Sequence, residues 1–376
     1  MMTLMCRYLP VFVFVAHLCA QNQPRARDLG VPFDGTPGPL NAITDVKGVE
    51  VGHSTIIRGQ GKLEPGKGPV RTGVTAVHPR GKNSAEPVFA GWFSLNGNGE
   101  MTGTAWIEES GLLESPVLIT NTHSVGVVRD AVIQWTVKKA APGFQPWALP
   151  VVAETYDGYL NDVNGFHVRP EHAFEALDNA RGGPVEEGSV GGGTGMICHE
   201  FKGGIGTSSR IAGGYTLGVL VQCNYGQRDQ LRIAGVPVGR EIQDGKFRRV
   251  EEGSIIIVVA TDAPVLPHQL QRLARRAALG LARNGSVSGN GSGDLFIAFS
   301  IANPEAASKS GVARLEMLPN DRLDRLFRAT VEATEEAIVN AMVAADTMTG
   351  ADGHTILGLP HARLRDVLKK YNRLAE

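Results

Sequence analysis

Apolar positions along this chain fall into short, dense runs separated by glycine-rich turns, and the C-terminal third carries two long stretches of helical spacing. The runs 70–77, 117–120, 150–155, 215–224, 254–261 and 295–299 are rich in β-branched and other large apolar residues, which predicts buried strands. Residues 42–53 read as strand, turn, strand. Shorter helices are expected before Gly111, from about Val127, and over 169–180. Leu270, Leu273, Ala274, Ala277 and Leu281 recur at helical spacing over 268–283. A longer helix follows, with Leu323, Leu326, Phe327, Val331, Thr334, Ile338, Ala341 and Met342 on one face. Several strands precede each long helix, so the pattern predicts a layered α/β sandwich rather than a barrel or a helical bundle. The chain has no internal repeat.

The 47 glycines follow no three-residue period, which excludes a collagen-like chain and marks tight turns instead. A net charge of -1 without a basic stripe gives no footprint for nucleic acid. The N-terminus places Arg7 before the apolar residues 8–16 and ends in Ala20-Gln21. A basic start, an apolar core too short to span a bilayer and a small final residue predict a signal peptide over 1–20. The mature protein is therefore expected to be periplasmic or secreted, with no membrane contact once the signal is removed. Cys6 and Cys19 leave with that segment. Cys198 and Cys223 remain, either paired or as two buried thiols. Residues 21–40 read as a polar leader and 227–252 as a charged, exposed linker. The loop 61–68 nearly matches a phosphate-binding loop, but Gly68 stands where a hydroxyl must hold magnesium and Pro65 interrupts it.

Candidate chemistry gathers at three places. At 253–254 a Gly-Ser pair directly precedes a strand. If the bond after Gly253 is cut, the hydroxyl and a free α-amine of Ser254 share one residue, and an α-amine titrates near about 7.7–8.0. Without a cut, the same pair is ordinary turn grammar. Asn224 ends its strand and carries an amide able to stabilise an oxyanion. Ser292 and Asp294 flank a glycine in a tight turn, where they can orient a nucleophile and relay a proton. His123 and Ser124 are adjacent on a turn, a spacing that rarely forms a dyad, and no serine has the Gly-x-Ser-x-Gly elbow.

These segments, together with Ile43-Thr44-Asp45-Val46, Asn96-Gly97-Asn98-Gly99-Glu100, Thr120 to Gly126, Glu154-Thr155-Tyr156-Asp157-Gly158, Lys202-Gly203-Gly204-Ile205-Gly206, Asn224-Tyr225-Gly226, Ser288 to Asp294 and Thr347-Met348-Thr349-Gly350, closely resemble the L-aminopeptidase/D-amidase/D-esterase enzymes, which include the β-peptidyl aminopeptidases. The resemblance runs from near residue 40 to the C-terminus. It implies a four-layer αββα sandwich, layered like the N-terminal-nucleophile hydrolases but connected differently. It also implies a precursor that cleaves itself between Gly253 and Ser254. The α chain (21–253) and β chain (254–376) would then stay associated, usually in a homotetramer, without metal or cofactor.

Carried over by position, Ser254 is the nucleophile and Asn224 the oxyanion donor. Ser292 and Asp294 match a serine and a carboxylate beside the nucleophile, and Tyr156, ahead of Tyr159, matches the site tyrosine. The implied substrates are short peptides or aminoacyl amides and esters. Glu100, Glu109 and Glu154 are candidates to bind the substrate ammonium. Two rival readings are a non-catalytic exported binding protein and a related self-cleaving acetyltransferase. The latter uses threonine inside the cell, against which Ser254 and the signal segment speak.

Overall fold

The computed structural model describes residues 24–247 and 253–375. The expected signal peptide and residues 248–252 lie outside the described residues. In chain order the strands are β1 (Glu50–Arg58), β2 (Val70–His78), β3 (Val88–Gly97), β4 (Leu112–Leu113), β5 (Val117–Asn121) and β6 (Val151–Thr155). They continue with β7 (Ile197–Cys198), β8 (Phe201–Lys202), β9 (Gly204–Ala212), β10 (Tyr215–Asn224), β11 (Ser254–Thr261), β12 (Gly293–Ser300), β13 (Met348–Thr349) and β14 (Thr355–Ile356). The α-helices are α1 (Thr104–Ser110), α2 (Val125–Lys139), α3 (Pro170–Asp178), α4 (Val238–Glu241), α5 (Pro267–Arg283), α6 (Asp324–Val343) and α7 (His361–Lys370).

Two sheets carry the architecture, one ordered β1-β2-β5-β6 and the other β4-β3-β12-β11-β10-β9. Side-chain alternation along β11 shows how they stack. Ile256, Val258 and Ala260 share a core with Val117, Ile119, Val151 and Ala153 of the four-stranded sheet. Ile255, Ile257 and Val259 point the other way, into a core with Leu270, Leu273 and Ala277 of α5 and Ala333, Ala337 and Ile338 of α6. A third core joins Val74, Leu118 and Val152 to Val128 and Val132 of α2 and Leu177 of α3. The layers are thus helix, sheet, sheet, helix, the αββα sandwich expected from the resemblance.

Each sheet holds one parallel pair bridged by a helix, β5–α2–β6 and β11–α5–β12, and the remaining ladders of the two sheets are antiparallel. The C-terminal ends of β5 and β6 meet the N-terminal ends of β11 and β12 across the core. Gln222 on β10 donates from Nε2 to Thr120 O at 3.0 Å and to Thr155 Oγ1 at 2.9 Å, tying the two sheets at that end.

Three sequence expectations change. Residues 43–45 form a 3₁₀ turn rather than a strand, because the Asp45 carboxylate accepts the backbone N–H groups of Leu40 and Ala42. The leader is docked. Arg27 forms a bidentate pair with the buried Glu336, which also holds Arg210 Nη2 at 2.7 Å, and Arg25 pairs with Glu187. Residues 227–247 are not an exposed linker, since Leu231, Ile233, Val236, Val238 and Ile242 enter the helix-side core. Arg228 is fully buried, with its guanidinium donating to the carbonyls of His199, Glu200, Ile242 and Asp244. Of the two open readings for the cysteines, the structure has the pair: Cys198 and Cys223 are joined, with Cα atoms 5.8 Å apart.

Candidate active site

At the end of the six-stranded sheet where β11 and β12 begin, four neighbouring strands place residues in one row. Asn224 stands opposite Ser254, Ser254 beside Gly293, and Gly293 opposite Gly97. Ser254 is 5% exposed. It alternates with Ile256 and Val258, so its side chain belongs to the inter-sheet face, as does that of Asn224, two residues beyond Gln222. Directly opposed residues of an antiparallel pair bring their Cβ atoms to about 4.5–5.5 Å, which puts the amide beside the hydroxyl.

The Gly253–Ser254 peptide opens β11. The N–H of Gly293 lies against that peptide from the next strand, donating to Ser254 Oγ at 3.1 Å and to Gly253 O at 3.3 Å. The glycine is required by space: a Cβ at 293 would stand 2.4 Å from Asn98 O and 2.7 Å from Gly99 Cα. The sequence marks Ser292 and Asp294 as polar candidates but not the backbone donor between them. The small residue separating two polar ones was the available signal.

Asn224 is held at both ends of its amide. Its Oδ1 accepts the N–H of Ile197 at 2.7 Å, and its Nδ2 donates to Tyr156 O at 2.9 Å. A primary amide has two N–H bonds, so this contact engages one of them. Tyr156 thus meets Asn224 through its backbone, while its half-exposed ring packs over Gly158. The Tyr159 ring is stacked between His354, with centroids 4.2 Å apart, and Phe247, at 5.1 Å.

Ser292 and Asp294 are both buried, and Ser292 Oγ donates to Asp294 Oδ1 at 2.7 Å. Asp294 alternates with Phe296 and Ala298, whose side chains lie in the helix-side core. Its charge reaches the phenol of Tyr225, which burial first and Asp294 second hold well above the ordinary tyrosine range. The pair therefore flanks the start of β11 and lies toward the helix side of the sheet. His123 and Ser124 do not form a dyad: the exposed His123 ring stacks on Phe166, and Ser124 is buried.

Of the three acids left open by the sequence, Glu100 and Glu109 are exposed and Glu154 is buried. Glu154 Oε1 accepts the N–H of Glu100 at 3.0 Å, and Oε2 accepts the hydroxyl of Thr122. Gly99 sits between this carboxylate and Gly293; a Cβ there would be 3.2 Å from Glu154 Oε1 and 3.1 Å from Gly293 Cα. One glycine thus separates Glu154 from the residue that contacts Ser254. Burial, partly offset by the Thr122 and Glu100 donors, raises the carboxyl above the usual glutamate range.

Residues 41–356 match peptidase family S58. The chain is 58% identical over 384 residues to the β-peptidyl aminopeptidase BapA of Sphingosinicella microcystinivorans, with 96% of each chain covered. Among solved structures it is similar to the L-aminopeptidase D-Ala-esterase/amidase of Ochrobactrum anthropi, described as a prototype of the serine aminopeptidases and a variant of the Ntn hydrolase fold. The TM-score is 0.88 and the identity 51%, covering 94% of this chain and all of that one. A β-aminopeptidase of Burkholderia sp. matches with a TM-score of 0.84 and 50% identity, covering 92% of this chain and 99% of that one. The chain belongs to peptidase family S58.

Proposed function

We propose that this chain is a precursor that cleaves itself at Gly253–Ser254 and then acts as a serine aminopeptidase on short peptides, amides or esters. The observation that carries this reading is the Gly293 N–H within reach of both Gly253 O and Ser254 Oγ. In the first reaction Ser254 Oγ attacks the Gly253 carbonyl carbon, and the developing oxyanion is stabilised by Gly293 N–H and by the second N–H of Asn224, which stands opposite Ser254. As the tetrahedral centre collapses, the Gly253–Ser254 C–N bond breaks, the proton lost by the hydroxyl passes to the departing Ser254 nitrogen, and the ester left on Oγ is hydrolysed by water. Ser254 is left with a free α-amine.

In turnover that amine takes the proton of its own hydroxyl, a task suited to a base with a pKa near neutrality. Ser254 Oγ attacks the carbonyl of the substrate's first residue, and the second Asn224 N–H and Gly293 N–H receive the oxyanion. The amine or shortened peptide leaves, and water releases the acyl group. The Ser292–Asp294 pair is assigned to orienting the new N-terminus. Tyr156 is assigned to the wall beside the acyl group, with its half-exposed ring lying over Gly158. Two of the relatives above carry β-amino acid chemistry in their names, which favours β-aminoacyl substrates; β-alanyl against L-alanyl p-nitroanilide tests that choice.

Glu154 is assigned to the substrate ammonium. A hydrogen bond to a charged group contributes about 1.5–3 kcal/mol, so Glu154→Gln should raise KM on the order of 10- to 100-fold with a smaller change in kcat. The carboxyl must be ionised to bind an ammonium, and its pKa is raised. Activity is therefore retained above that raised value and lost as pH falls through it. The acid limb of kcat/KM should approach a slope of two in the parent, from Glu154 and the α-amine, and one in Glu154→Gln. Unchanged KM and an unchanged limb would remove Glu154 from this role.

The cut is expected to leave one folded body. The β-chain strands β11 and β12 sit in the middle of the six-stranded sheet, flanked by β10 and β3 of the α chain. We further assign the assembled enzyme to a homotetramer, which sedimentation of the matured protein tests.

A further inference from the structure

Lys202 on β8 is fully buried, and no part of the chemistry above uses it. Its ammonium donates to three backbone carbonyls: Gly203 O at 2.8 Å, Met196 O at 2.9 Å and Gly193 O at 3.4 Å. Among the described residues no carboxylate forms an ion pair with it. An uncompensated buried cation is expensive, and an apolar residue of similar volume would avoid that cost.

The carbonyl it holds gives the cation a destination. Met196 O belongs to the peptide unit whose other end is Ile197 N–H, and that N–H is the donor to Asn224 Oδ1 at 2.7 Å. The unit is planar, with C=O and N–H at opposite ends. The contacts therefore run in line from Lys202 Nζ, through the 196–197 peptide and the Asn224 amide, to the amide N–H groups beside Ser254.

We propose that Lys202 is a positioning residue for the oxyanion donor, acting through the Met196–Ile197 peptide on Asn224. A cation at the carbonyl draws electron density toward oxygen and strengthens the N–H as a donor. That donor in turn polarises the Asn224 amide, so its Nδ2–H bonds meet a developing oxyanion with more positive charge. The same contacts fix the amide's orientation, because only Oδ1 can accept from Ile197. Burial lowers the ammonium pKa to about 7, so the charge acting on the peptide weakens in mildly alkaline solution. The inference rests on the oxyanion role of Asn224 assigned above.

The test is a double-mutant cycle with Lys202→Met, Asn224→Ala and both together, read first as the rate of precursor self-cleavage by intact mass over hours to days. Matured protein is then assayed for kcat and KM. Lys202→Met alone should slow cleavage and lower kcat on the order of tenfold with KM nearly unchanged, a fraction of the ~10²–10³ lost with an oxyanion donor. In the Asn224→Ala background it should change the rate less than about twofold, because the residue it acts through is gone. Independent multiplication of the two losses, or a Lys202→Met effect confined to KM, overturns the proposal and leaves the lysine as a structural plug. So does wild-type behaviour of Lys202→Met. Wild-type rates in Asn224→Ala alone would instead refute the oxyanion assignment itself. If Lys202→Met fails to fold in the Ser254→Ala background, Lys202→Gln removes the charge while keeping a donor for the carbonyls, and carries the same cycle with the same expected and overturning results.

Discussion

Ser254→Ala is expected to stay one uncut chain and to show no turnover of aminoacyl amides. Removing a hydrolase nucleophile costs on the order of 10⁶ in kcat, and here one atom serves both reactions. The substitution removes Oγ but not the strand. Ile255 to Thr261 remain fully buried between two cores, so the variant should fold and melt near the parent precursor. Ser254→Cys keeps a nucleophile at the same position and should restore slow self-cleavage. Loss of activity with normal cleavage in Ser254→Ala would separate the two reactions and place the cleaving nucleophile elsewhere.

Asn224→Ala carries the second largest expected effect, a loss of about 10²–10³ in kcat, the scale of a single oxyanion donor. KM should move little, because the donor meets charge that develops only in the transition state. Asn224→Asp should be worse than alanine. It keeps the acceptor for Ile197 N–H but turns a carboxylate oxygen toward the oxyanion and toward Tyr156 O. Steady-state kinetics on both variants, with circular dichroism to verify folding, checks the order. Alanine and aspartate variants with equal, small losses would remove Asn224 from the chemistry.

How far the chain could be read without coordinates depended on range. The strand at 254 and helices α5 and α6 were legible because burial imposes a local period on their apolar residues. The segment 227–247 reads as exposed because Arg228 and the charged residues between Leu231 and Ile242 have the composition of a solvated stretch. Its burial rests on carbonyls contributed by His199 and Glu200, far away in sequence. Asn224, Ser254 and Ser292 could be nominated singly, but the register that aligns Asn224, Ser254 and Gly293 is a long-range property of the sheet. Glu154 could not be separated from Glu100 and Glu109, which share its chemistry and differ in burial. The Gly293 N–H and the Ile197 donor were invisible for a simpler reason. They are backbone groups, present at nearly every residue and given meaning only by where they point.

The most direct test of the account is intact mass and N-terminal sequencing of the protein purified after folding, alongside native gel filtration. The account predicts two fragments that elute together, the smaller beginning Ser254-Ile255-Ile256-Ile257, with hydrolysis of aminoacyl p-nitroanilides in the same fractions. A single uncut chain that fails to hydrolyse these substrates, or a cut at any other bond, would contradict it.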